Sequence, residues 1–316
     1  MTTQIQADSP KAPRRVGDRL FKGLTTAAGS LILLLLAGVA IFLTAEGIPA
    51  ITASHSELAA AIPGTESLIS YVGPLVFGTV LAATLALLFA MPLSIGVALF
   101  ISHYAPRRLA WPLGYLIDLL AAIPSVVYGL WGIFFLSPRM VPIYDWLQAH
   151  LGFLPFFSGP ASVTGRTILT AGVVLAIMIL PISTSLCREV FLQTPRLNEE
   201  AALALGATRW ETIRLVVFPH ARSGMVSAAM LGLGRALGET MAVALVLSVS
   251  DVVSFNLISS LNSSTIAANI ALKFSDSSGL AVNVLIATGL VLFVITFLVN
   301  FLARAIVGRK STAGVH

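Results

Sequence analysis

The sequence predicts an all-α integral membrane protein with six transmembrane helices and both termini in the cytoplasm. Three observations carry this. Of 316 residues, 57% are hydrophobic and only 10% charged, far from the balance of a water-soluble domain. The apolar residues fall in runs long enough to cross hydrocarbon, which takes roughly 20 residues. The basic residues, finally, gather in alternate connecting segments.

Residues 1–23 hold Lys11, Arg14, Arg15, Arg19 and Lys22 with Pro10 and Pro13, and read as a disordered cytoplasmic tail. Leu24 to Ala45 is the first span. Its charged front imitates a secretory leader, but the run exceeds the roughly 7–15 residues of a cleavable core. Pro74 to Ile101 is the second span, with a kink expected at Pro92. Pro112 to Leu136 is the third, bearing Pro124 and bracketed by Trp111, Tyr115, Tyr128 and Trp131, which favour the headgroup level. Ser137 to Gly165 carries Pro138, Pro142, Pro155 and Pro160 and reads as a broken connection with a short interfacial helix at Tyr144 to Leu151. Arg166 to Cys187 is the fourth span, Ser223 to Ser250 the fifth and Leu280 to Ile306 the sixth, with Asp251 to Gly279 a polar Ser/Asn-rich loop. One transmembrane domain over residues 24–307 results, with a C-terminal tail at 308–316.

The side of the N-terminus collects its five tail residues, Arg107 and Arg108, then Arg188, Arg196, Arg209, Arg214 and Arg222, and finally Arg304, Arg309 and Lys310. The opposite side holds only Arg139, Arg166 and Lys273. Positive charge marks the cytoplasmic side, so both termini are expected there. The net charge of +5 would by itself admit a nucleic-acid partner; this sorting assigns it to membrane lipid instead. The single Cys187 and the scattered histidines (His55, His103, His150, His220, His316) provide neither a disulfide framework nor a metal cluster, and no cofactor is called for.

The most polar cytoplasmic connection, residues 195–222, reads as two short helices. Thr194 is an N-cap candidate with Pro195 at the first helical position, and Gly206 is placed for a left-handed C-cap. Thr208 and Glu211 form a capping box that opens a second helix, which Pro219 interrupts. Leu197, Ala201, Ala204 and Leu205 give the first helix an apolar side. A plain hairpin linking two spans would also be polar. Here, however, Glu200, Ala201 and Ala202 are followed by Gly206 and, thirteen residues later, by Pro219. This spacing resembles the EAA loop of the binding-protein-dependent ABC importer permeases, with Val216 and Phe218 replacing the usual Ile and Leu. The resemblance implies a type I ABC importer permease fold and a loop that docks on a separate ATPase subunit, with Glu200, Ala201, Ala202, Gly206 and Pro219 as the coupling residues.

Arg235 lies twelve residues into the fifth span, about 18 Å deep at ~1.5 Å per residue. A charge at that depth costs roughly 2.5–3.5 kcal/mol, so it must face protein or water. Glu239 at i+4 falls on the same helical face. The pair is either a structural ion pair between helices or a site on a permeation path, where a guanidinium meets an oxyanion. Gly232, Gly234 and Gly238 read as helix-packing positions. Asp118, close to the cytoplasmic end of the third span, is a candidate to pair with a basic loop residue and is left without an assigned role.

The segments GLGRALGETMAV (232–243) and AAIPSVVYGLWG (121–132) resemble the phosphate-specific ABC importer permeases, and the ending of the first is closer to PstC-type than to PstA-type subunits. That resemblance implies a substrate path at Arg235 and Glu239. It also implies three kinds of partner: a second PstA-like permease subunit, two copies of an ATPase, and an extracytoplasmic phosphate-binding protein. The chain has no G-x-x-x-x-G-K-[ST] loop, G-x-S-x-G elbow or H-E-x-x-H pair, so it is not expected to be an enzyme, and ATP hydrolysis falls to a partner. The alternatives are a permease for sulfate or molybdate, or an ion-driven transporter or channel; the latter often show inverted repeats, and none is found here.

Overall fold

The computed structural model describes residues 16–250 and 252–311, with the side chains of residues 16, 18, 249 and 306–311 excepted. Thirteen α-helices account for most of it. The first, α1 (Val16–Thr52), begins ahead of the expected boundary at residue 24, and the rest of the N-terminal tail lies outside the described residues. After α2 (His55–Ala61) comes α3 (Leu68–Leu99), then α4 (Arg107–Ala121) and α5 (Ser125–Trp131). Next are α6 (Ser137–Leu151), α7 (Ile168–Leu192), α8 (Arg196–Ala204), α9 (Arg209–Thr212), α10 (Phe218–Leu237) and α11 (Met241–Val246). A two-residue parallel pairing of β1 (Val249–Ser250) with β2 (Asn262–Ser263) precedes α12 (Ile266–Lys273) and α13 (Leu280–Ser311). The expected C-terminal tail is thus helical to Ser311, and its remainder lies outside the described residues.

Among the described residues, five stretches are long and apolar enough to cross a membrane: Arg19–Thr52, Leu68–Tyr104, Ser125–Leu151, Ile168–Leu192 and Leu280–Ala305. The central one is α7, whose Leu175, Met178 and Ile179 are fully buried against α3 and α10. Small residues make the close approach possible: a methyl group on Gly172 would come within 2.8 Å of the Leu85 Cβ. At the other extreme, α1 packs along α13, while Leu31, Leu33, Leu34 and Leu35 stay 57–69% exposed. Such a continuous apolar surface needs hydrocarbon as its solvent.

Three sequence expectations are corrected. Pro138 and Pro142 do not break the chain after Leu136; they lie within α6, which continues α5 through one π turn at Gly132–Leu136. In that turn the Ser137 N–H bonds to the Gly132 carbonyl, one residue further back than in an α-helix, immediately before Pro138. The same device appears at Phe100–Tyr104, where Ala105 N–H reaches Phe100 O ahead of Pro106, and at Ile213–Val217, where Phe218 N–H reaches Ile213 O ahead of Pro219. A proline lacks the donor and its ring crowds the carbonyl four residues back; the wider turn makes room for it. Secondly, the third span is not one helix, because α4 ends at Ala121 and Pro124 caps α5. Thirdly, the fifth span over Ser223 to Ser250 is interrupted: α10 ends at Leu237 and α11 starts at Met241.

The polar Ser/Asn-rich segment is largely buried and contains β2 and α12. Asn256, Ser259, Asn262, Ser263, Ser264 and Thr265 are buried. Its backbone is paired with the connection before α7: Leu257 N–H to Phe156 O, Ser162 N–H to Ile258 O and Leu169 N–H to Leu257 O. It then passes over α3 at Gly78, and Thr79 Oγ1 accepts the Ile266 N–H at 2.9 Å. A methyl group on Gly78 would lie 2.4 Å from the Ser264 carbonyl oxygen. Gly78→Ala should therefore destabilise the protein by about 1–3 kcal/mol through overpacking. Gly38→Ala, with nothing within 4 Å, should not. Thermal unfolding of the two variants in detergent compares them, and equal midpoints would contradict the packing account.

Candidate functional site

The loop part of the site is built around α8. None of its residues is buried, and Leu197, Leu203 and Leu205 are 76%, 48% and 90% exposed. Glu200, Ala201 and Gly206 are exposed as well, whereas Ala202 is half-buried. The expected N-cap is displaced by one residue: Pro195 caps α8 without a side-chain bond, and the Thr194 hydroxyl is buried without a partner. The C-cap is as expected. Gly206 has φ +88°, its N–H bonds to Leu203 O, and the Ala207 N–H bonds to Ala202 O, which is the Schellman arrangement. Thr208 then caps α9, with Glu211 Oε2 accepting the Thr208 N–H at 2.7 Å and Glu211 N–H reaching Thr208 Oγ1 at 3.3 Å. Pro219 is exposed and does not interrupt the helix; α9 runs through the π turn into α10.

Behind this exposed hairpin lies a closed apolar root. Phe191, Cys187, Val217 and Ala221 are fully buried together with Ala98, Leu99 and Ile213. They tie the ends of α3 and α7 to the start of α10. A polar contact adds to them: His103 Nε2 lies 3.7 Å from Glu199 Oε2, linking the end of α3 to α8. Sequence reasoning left His103 unassigned, and residues so far apart in the chain carry no local signal for such a pair. Asp118 finds its basic partner in Arg188, at 3.6 Å, and accepts a bond from Ser185 Oγ at 2.9 Å.

The second part of the site centres on Arg235 and Glu239, and the structure does not bring them together. Because α10 ends at Leu237, Glu239 lies outside the helix, and no ion pair or hydrogen bond joins it to Arg235. Glu239 is 8% exposed and its Oε1 accepts the Ala242 N–H at 3.1 Å, capping the start of α11. Arg166 holds the other end of α11 by donating to the Leu245 and Leu247 carbonyls at 3.2 and 3.1 Å. An anion at the N-terminus and a cation at the C-terminus both suit the helix dipole.

Arg235 is half-buried, makes no hydrogen bond among the described residues, and opens into a cavity of about 790 Å³. Ser227, Asn300 and Arg304 share that cavity, and among the described residues no acidic one lines it. Of the three glycines, Gly232 alone packs tightly, with a methyl position 3.0 Å from Ser183 Oγ; Gly234 has open space around it and Gly238 is exposed. The two sequence segments singled out around this site meet directly. A methyl group on Gly129 would come within 2.9 Å of Ala242 Cα, and one on Gly132 within 2.8 Å of a Val246 methyl.

The capping box makes a pH prediction. Bonds from the Thr208 backbone and hydroxyl hold the Glu211 carboxyl below its ordinary 4.5. A depressed carboxyl stabilises the loop above the ordinary value, and that contribution is lost as pH falls through the folded value. Thr208→Ala should return Glu211 towards 4.5. Titration of side-chain carboxyl carbons by NMR reads this, and an unmoved Glu211 would contradict the capping account.

Comparison with known proteins agrees with this architecture. Residues 90–312 match a family model described as the binding-protein-dependent transport system inner membrane component. The chain is 47% identical over 306 residues to the phosphate transport system permease protein PstC 2 of Mycobacterium tuberculosis, covering 94% of each chain. It is 45% identical to PstC of Mycobacterium leprae over 301 residues, covering 93% of this chain and 94% of that one. A chain of the inward-facing MetNI methionine ABC transporter superposes with a TM-score of 0.54 at 17% identity, covering 75% of this chain and 96% of that one, a likeness of fold alone. The chain belongs to the family of binding-protein-dependent transport system inner membrane components, multi-pass membrane permeases of ABC importers.

Proposed function

We propose that this chain is the permease subunit of an ATP-driven importer of inorganic phosphate, forming half of the translocation path. The observation that carries the substrate is 47% identity over 94% of the chain to a phosphate permease. The half-buried Arg235, opening into a cavity without acidic residues, suits an oxyanion. ATP is bound and hydrolysed by a partner.

The proposed topology has six crossings, with α10 and α11 together making the interrupted fifth and both termini cytoplasmic. The sorting of basic residues supports this sidedness. The proposed complex pairs the chain with a second, PstA-like permease subunit, two copies of an ATPase and an extracytoplasmic phosphate-binding protein. The exposed apolar side chains of α8 supply a surface for the ATPase. Glu200, Ala201, Ala202 and Gly206 shape that surface, and Pro219 sits at the π turn that joins it to α10. Closure of the ATPase dimer would press on α8, and the buried root around Phe191 would carry the movement to α3, α7 and α10. Arg235 would then meet phosphate away from bulk water.

Uptake of radiolabelled phosphate tests this reading, using cells that lack the gene and are restored with wild type, Arg235→Ala or Gly206→Asp at equal membrane levels. Both variants should lose uptake by on the order of 100-fold or more, the scale set by loss of a charged contact to the anion or of coupling. Excess sulfate or molybdate should not compete. Wild-type uptake by Arg235→Ala would remove the arginine from the path, and competition by sulfate would reassign the cargo.

A further inference from the structure

A second basic cavity, of about 580 Å³, lies at the root of α8 and is separate from the one at Arg235. Arg107, Arg188 and Arg196 line it together with Ser102, and among the described residues Asp118 is its one acidic residue. That carboxylate stands beside Arg188 at 3.6 Å, leaving two positive charges uncompensated. Gly114 makes the site possible. A methyl group there would fall 1.8 Å from Arg188 Nη1, so the guanidinium lies in the notch that the missing side chain leaves on α4. Arg188 makes no hydrogen bond among the described residues, and its Nε is buried without a partner. A guanidinium with a fixed position and unengaged donors is a half-made anion site.

The rim identifies the kind of anion. Trp111 and Tyr115 border the same cavity and stack with ring centroids 6.3 Å apart and planes 6° from parallel, although they are 79% and 61% exposed. Large exposed aromatics in a membrane protein favour the headgroup level. A cavity with arginines on one side and such a girdle on the other matches a phosphoryl group attached to acyl chains.

We propose that this cavity binds the headgroup of an anionic phospholipid. Arg107, Arg188 and Arg196 would donate to the phosphoryl oxygens, and Trp111 and Tyr115 would pack beside its glycerol and first methylenes. Arg196 is the first residue of α8, and α8 is tied to α3 through Glu199 and His103, so the lipid would brace the helix on which the ATPase presses. The bracing role rests on the ATPase docking proposed above; the lipid site itself rests on the cavity and its rim.

The test counts bound lipid by native mass spectrometry on the full chain, purified with its partner subunits and stripped of native lipid. Wild type and an Arg107→Ala/Arg196→Ala variant are titrated with phosphatidylglycerol, with phosphatidylcholine of the same acyl chains, and with phosphatidylglycerol plus millimolar inorganic phosphate. Both replaced side chains are exposed, and the Arg188–Asp118 pair remains. Loss of two basic contacts should weaken phosphatidylglycerol binding on the order of tenfold. Phosphatidylcholine binding should not change, and inorganic phosphate should not displace the lipid. Equal phosphatidylglycerol retention by both proteins would overturn the proposal. So would displacement by inorganic phosphate, which makes the site one for free anion, or loss of the ATPase with lipid binding unchanged, which makes the arginines a protein contact.

Discussion

A backbone N–H or C=O left unpaired in hydrocarbon costs several kcal/mol, so a spanning chain must satisfy its own polar groups or bury them in protein. This chain carries sixteen prolines, several within or beside its apolar helices, and its structure is shaped by how that constraint is met. Before Pro138 and Pro219 the helix widens to a π turn and then continues; before Pro106 it widens and stops. Where the helix stops inside the apolar region, as at Gly238, the freed groups find nearby partners. The Gly238 N–H returns to Gly234 O, and the open N-terminus of α11 takes the Glu239 carboxylate. The Ser/Asn-rich segment obeys the same rule by exchanging backbone bonds with residues 156–169.

The same constraint gives the molecule its mechanical character. A helix with a continuous hydrogen-bond ladder is a stiff rod, whereas a π turn is a place where the ladder is already re-registered. The π turn at Ile213–Val217 sits between the exposed hairpin and α10, and its Ile213 and Val217 are buried in the root around Phe191. A load applied at α8 therefore enters a packed cluster rather than a free loop. Packed clusters pass displacement on because their interiors have little room to deform.

What could be read in the sequence was local chemistry. Gly206 and the Thr208–Glu211 box are fixed by residues within a few positions of one another, and the structure has both. Asp118 was legible as a residue needing a cation because charge in an apolar helix demands one, and Arg188 is that cation. The misses were of two kinds. Prolines were read as breakers, since nothing local distinguishes a proline preceded by a π turn from one that ends a helix. The burial of the Ser/Asn-rich loop has no local signal because its partners, Phe156 and Ser162 for Leu257 and Ile258, lie far away in the chain. His103 and Glu199 were hidden for the same reason.

The Arg235–Glu239 spacing shows how one local error changes a charge argument. An i, i+4 pair in an unbroken helix would neutralise itself, and the path would then present no net attraction to an anion. The break after Leu237 takes Glu239 out of that register and commits its carboxylate to the Ala242 N–H, where the dipole of α11 favours it. Arg235 is left with its donors unengaged at the edge of a cavity that has Arg304 but no carboxylate. Both charges are thus accommodated, yet by different means: the glutamate by a helix end and the arginine by an open, hydratable space. For Glu239 to neutralise Arg235 it would have to give up its cap, so pairing of the two is tied to the break between α10 and α11. That dependence joins the charge at the cavity to the conformation of the helices around it.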